Sequence, residues 1–146
     1  MKRFHFPLER IRQFRRLQME TEESRLAECR QRLEAVNHMV AELDRQREDA
    51  DEDARRRTGA GLAKPAELES LALWRGHARR LDAELAERRS KEAVAVELQR
   101  RRLVEARRKY EILDRLRDKT LRGWRADWDR ETEALAGELY LSRWSR

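Results

Sequence analysis

The sequence predicts an all-α protein: a long two-helix antiparallel coiled-coil hairpin with a longer second helix. Three observations carry this reading. Ala, Glu, Lys, Leu and Arg make up 63% of the 146 residues, the composition of a long helix or coiled coil. Leu, Ile, Val and Phe together reach only 20%, enough to line one seam and too little to fill a two-layer core. The only two prolines, Pro7 and Pro65, each stand just before a helical pattern, where a missing backbone N–H costs nothing.

The first helix is predicted over about residues 7–57. Leu26, Cys29, Leu33, Val36, Val40, Leu43, Arg47, Ala50 and Ala54 alternate spacings of three and four, a heptad seam that weakens toward its end as alanine replaces leucine. Upstream, Leu8 stands 18 residues before Leu26, with Ile11 close by. Read as five turns and not as whole heptads, that gap implies a stutter near Leu17.

A turn is predicted over about 58–64, where Gly59 and Gly61 can end a helix through a left-handed cap. So short a connection makes the two helices antiparallel. The second helix is predicted over about 65–142. Its seam runs Leu71, Trp74, Ala78, Leu81, Leu85 and then Val96, Gln99, Leu103, Ala106, Tyr110, Leu113. The 11-residue step from Leu85 to Val96 marks a local change of supercoil. The chain is read as one hairpin over residues 1–146. Acidic-before-basic pairs four residues apart, such as Glu97–Arg101 and Glu111–Arg115, support its solvated faces by about 0.3 kcal/mol each.

With the turn centred near residue 61, Leu26 faces the region of Val96, and Leu8 and Ile11 face Ile112 to Arg115. The second helix then runs on for about 25 residues, some 35–40 Å, with no partner. That overhang is not polar. It holds Leu121, Trp124, Trp128, Leu135, Leu139, Tyr140, Leu141 and Trp144, with Trp124 and Trp128 one turn apart on one face. An exposed apolar stripe marks an interface. Phe4 and Phe6 reach only its beginning. Near the turn, Leu73 lies off the seam and, with the rim of Trp74, makes a small apolar spot on the outer face.

Composition also excludes function classes. No window approaches the ~18–20 apolar residues of a membrane span. The basic start Met1-Lys2-Arg3 is followed by no apolar stretch, so no signal peptide is expected, and the single cysteine, Cys29, fits a reducing compartment as a small seam hydrophobe. A cytoplasmic location follows. His5, His38 and His77 are far apart, and Gly59-Ala60-Gly61-Leu62-Ala63-Lys64-Pro65 lacks the spacing and hydroxyl of a phosphate-binding loop. Neither a catalytic nor a cofactor or metal site is expected, nor a small-molecule substrate. Two basic runs stand out: Lys2 to Arg16, and Arg100, Arg101, Arg102, Arg107, Arg108 and Lys109. With a net charge of +6, they suit an acidic partner. A protein surface fits better than nucleic acid, because no nucleic-acid reader motif is present.

Phe4-His5-Phe6-Pro7-Leu8-Glu9-Arg10-Ile11 resembles the start of the flagellar export protein FliJ family. Arg107-Arg108-Lys109-Tyr110-Glu111-Ile112-Leu113-Asp114-Arg115-Leu116-Arg117-Asp118-Lys119 resembles its second-helix segment. The family often carries an acidic pair near its end, where this chain has Gly137-Glu138-Leu139-Tyr140. The resemblance implies a non-enzymatic stalk of the flagellar type III export apparatus. Such a protein inserts the end bearing both termini into a hexameric export ATPase, promotes ring assembly and activity, and contacts the export-gate membrane protein and export chaperones. It also implies a position peripheral to the cytoplasmic face of the inner membrane. The implied ring contacts are Phe4, Phe6, Arg12, Leu121, Trp124, Trp128 and Leu135; the implied gate contacts are Leu73, Trp74 and Ala78. The alternatives are the equivalent stalk of a virulence secretion system and a basic coiled coil bound to nucleic acid.

Overall fold

Two helices and the short segments beside them make up the computed structural model, which describes residues 3–144 and the side chains of 3–142. Lys2 of the first basic run and the Trp144 side chain lie outside the described residues. Helix α1 spans Glu9–Gly59 and helix α2 spans Pro65–Trp144. At 80 residues against 51, the second is the longer, and every bound lies within two residues of the sequence expectation.

The turn is built as the glycines require. Gly61 is the one glycine with positive φ, at 69°. The Leu62 N–H donates to the Arg57 carbonyl at 2.9 Å and the Gly61 N–H to the Thr58 carbonyl at 3.1 Å, the paired bonds of a Schellman cap. Pro65 is the first residue of α2, as expected. The Glu67 carboxylate accepts from the Lys64 N–H at 3.4 Å, the returning half of a capping box, and from Arg57 across the turn at 3.0 Å. These donors hold the Glu67 carboxyl below its usual range, the Lys64 N–H contributing most. Pro7 lies in the turn before α1, where the Glu9 N–H donates to the Phe6 carbonyl at 3.1 Å.

The chain divides into two compact units. The hairpin unit, residues 23–102, contains the turn. Its core is Val36, Leu43, Ala78 and Leu85, with Val40, Trp74 and Leu81 packed against it, and Val36 is fully buried. Every predicted seam residue of α1 from Leu26 to Ala54 is at least half-buried, Cys29 included. Within the 11-residue step the covered positions are Glu92 and Ala95, and Glu92 accepts from Arg32 at 3.2 Å. Arg32 thus reaches across to α2 within one residue of the expected register.

The terminal unit joins residues 1–22 to 103–146. Here the structure corrects the first helix. Ile11, expected in the seam, is 49% exposed, and Leu17 is exposed as well. Glu9 is half-buried beside a run of covered positions, Leu8, Arg12, Arg15, Met19 and Glu22. They continue the three-four alternation to Leu26 unbroken, so α1 has no stutter. Eighteen residues are two heptads and a step of four, which carries one seam position onto the other. Ile112, expected opposite Leu8 and Ile11, is also exposed, and Leu113 takes the inner position.

Candidate functional site

The sequence places its main candidate surface on the last third of α2, in the terminal unit. Leu121, Trp124, Trp128, Thr132, Leu135 and Leu139 follow one another at three- and four-residue spacings and share one helix face. The structure splits this face into two parts. Leu121, Trp124 and Trp128 are half-buried. The Phe4 ring lies 5.9 Å from that of Trp124, tilted by 59°, and Trp124 lies 5.2 Å from Trp128. Phe6 is buried. The irregular segment before α1 therefore covers the beginning of the stripe with an edge-tilted aromatic cluster, a geometry favoured by ring quadrupoles.

Beyond Thr132 the cover ends. Leu135 is 50% exposed and Leu139 69%, and Tyr140 and Leu141 are exposed on other faces of the same turns. Thr132 itself turns its hydroxyl inward to donate to the Trp128 carbonyl at 2.9 Å. The apolar face that Phe4 caps thus continues onto bare helix without a change of register.

Arg12, grouped with the ring contacts, sits in an ion-pair cluster. Its side chain is only 15% exposed. It donates to Glu9 at 2.7 and 3.1 Å, to Asp114 at 2.9 Å and to the Tyr110 hydroxyl at 3.3 Å, while Arg117 comes within 3.8 Å of Glu9. The Arg12 hydrogen bonds hold the Glu9 carboxyl below its usual range; Glu9 in turn raises the Arg12 pKa still further. The geometry makes Arg12 a fastener between α1 and α2 within this unit.

The candidate gate segment lies in the hairpin unit. Leu73 is 76% exposed, as its off-seam position requires. Trp74 is half-buried against the core, and Ala78 is buried within it. A partner reaching this segment meets Leu73 and the rim of Trp74, and not the Ala78 methyl.

Arg100, Arg101, Arg102, Arg107, Arg108 and Lys109 are all exposed, whereas Arg12 and Arg15 of the first basic run are half-buried. Arg100, Arg101 and Arg102 belong to the hairpin unit, where Arg101 pairs with Glu97 at 3.3 Å. Arg107, Arg108 and Lys109 belong to the terminal unit, where Lys109 pairs with Glu105 at 2.8 Å and holds that carboxyl below its usual range.

Sequence reasoning missed the seam roles of Arg12 and Glu92, because an apolar pattern search passes over charged residues. It also missed the exposure of Ile11, Phe14, Ile112 and Leu116. The available signal was the unbroken three-four spacing running back from Leu26, which assigns Ile11 to a flank. Among the described residues no three His, Cys, Asp or Glu gather as a metal site, and no helix is long and apolar enough to cross a membrane. Comparison with models of known protein families, with curated proteins and with solved structures finds no match to this chain.

Proposed function

We propose that this protein is a non-enzymatic stalk of a flagellar type III export apparatus, acting by contact with a hexameric export ATPase. One observation carries the reading: the apolar face of α2 passes from Trp124 and Trp128, under Phe4, to the bare Leu135 and Leu139. A helix that keeps a single apolar face beyond its own partner is suited to receive another. Binding the assembled ring more tightly than its separate subunits would favour assembly by mass action. The resemblance of residues 4–11 and 107–119 to the FliJ family supplies the identity of that ring.

Leu73 and the rim of Trp74 are then the surface offered to the export-gate protein. Contact with export chaperones, and a cytoplasmic place beside the inner membrane, belong to the same proposal. Leu135→Glu with Leu139→Glu in the full chain is expected to abolish stimulation of export-ATPase turnover while far-UV circular dichroism stays unchanged. Undiminished stimulation would overturn the proposal. Stimulation of a virulence-system ATPase but not a flagellar one would assign the stalk to that system instead.

A further inference from the structure

The irregular segment before α1 is fastened at one end only. Phe6 is buried, and its carbonyl accepts from the Glu9 N–H at 3.1 Å, so side chain and backbone are both tied to the start of the helix. Two residues earlier neither tie exists. The Phe4 side chain is half-buried, and Arg3 and His5 are exposed. Among the described residues no hydrogen bond holds residues 3–5. Phe4 is kept in place by its ring, 5.9 Å from that of Trp124. An aromatic pair of this kind shifts an equilibrium by about two- to tenfold, a modest tie.

Phe4 lies over the richer half of the apolar face of α2. Beyond Thr132 that face offers Leu135 and Leu139, and its next positions, Ser142 and Arg143, are polar. Two leucines make a small patch, whereas tryptophan side chains dominate the energetics of protein contacts. A partner segment seated on Leu135 and Leu139 can therefore enlarge its apolar contact only toward Trp128 and Trp124. The 15-residue step from Trp124 to Leu139 rises about 22 Å along the helix. A segment spanning that length meets Phe4 at its far end.

We propose that residues 3–6 form a displaceable strap. Phe4 occupies in cis the start of the face that the partner takes, and it swings off about the anchored Phe6 when the partner docks. The inference rests on the stalk reading for the identity of that partner, the export ATPase. Leu135 and Leu139 stay bare as the first foothold, while the strap shields Trp124 in the free protein. The closed strap lowers the affinity for the ring by the factor with which it outweighs the open one.

The test is a titration of the fluorescently labelled full chain with the hexameric flagellar export ATPase, followed by anisotropy. Phe4→Ala is expected to bind about two- to tenfold more tightly than the unaltered chain, with helical circular dichroism unchanged. Trp124→Ala, which removes part of the face itself, is expected to weaken binding at least about threefold. A second measurement follows the strap directly. With p-benzoylphenylalanine in place of Phe4, irradiation of the free chain is expected to cross-link residue 4 to the segment around Trp124. Saturating ATPase is expected to suppress that cross-link.

Binding by the unaltered chain with Phe4→Ala no tighter, or weaker because Phe4 is itself a ring contact, would overturn the strap and leave the stalk reading standing. A cross-link that persists at saturating ATPase would do the same. Absence of ATPase binding by both proteins would overturn the stalk reading and the strap with it. A cross-link between two chains, with a dimer in sedimentation equilibrium that Phe4→Ala dissolves, would assign Phe4 to a second copy and also overturn the proposal.

Discussion

The hairpin unit and the terminal unit use the same two helices but different materials. The hairpin unit closes its seam with Val36, Leu43, Ala78 and Leu85, all buried. The terminal unit puts Arg12, Arg15, Met19 and Glu22 at the equivalent positions of α1 and draws on ion pairs and aromatic rings. Apolar burial is worth about 25 cal/mol per Å², whereas a partly exposed ion pair adds about 0–1 kcal/mol. The hairpin unit thus has a continuous apolar core, although Leu62, Leu73 and Val94 stay on its surface. The terminal unit leaves Ile11, Phe14, Ile112, Leu116, Leu135 and Leu139 on its surface.

The sharpest break between the units comes from leucine and isoleucine truncation. Leu85→Ala, at a buried core position of the hairpin unit, is expected to cost about 3 kcal/mol in denaturant unfolding. Ile112→Ala, 66% exposed in the terminal unit, is expected to cost under about 0.5 kcal/mol. Equal losses would mean that the terminal unit buries this residue after all.

A smaller effect belongs to Arg12. Its removal unties Glu9, Asp114 and Tyr110 together, but both carboxylates keep about a third of their surface in water. Arg12→Ala is therefore expected to cost about 1–1.5 kcal/mol. Its signature is faster amide hydrogen exchange in residues 9–22, with the core around Val36 unaffected. Loss of protection around Val36 would show the fastener to act on the hairpin unit.

Acid should bring out the same distinction more gently. Arg12 lowers the Glu9 pKa, so the ionised form is favoured in the folded state. The stability this adds is fully present above the ordinary glutamate value and is lost as pH falls through the lowered one. Titration downward from about pH 4.5 is expected to loosen the terminal unit before the core around Val36, and Glu9→Gln to flatten that dependence. A terminal unit indifferent to acid would remove Glu9 from the cluster.

The fold was legible wherever spacing and punctuation coincide. Pro65, Gly61 and the seam from Leu26 to Ala54 fix the helices, the turn and the antiparallel register because each has one physical solution. The first helix upstream of Leu26 was less legible. Hydrophobicity pointed to Ile11, while periodicity pointed to Arg12, and the ion pairs to Glu9 and Asp114 decide for Arg12. The stripe on α2 was legible as an apolar face. That Phe4 caps its beginning depends on the path of the irregular residues before α1, which no period describes.

The uncovered end of α2 is the proposed binding surface. Hydrogen exchange of the full chain, alone and with a hexameric flagellar export ATPase, tests it most directly. The amides of residues 133–142 are expected to exchange fast in the free protein and to slow at least about tenfold in the complex. Residues 133–142 exchanging equally fast in both states, with new protection confined to the segment around Leu73, would contradict it.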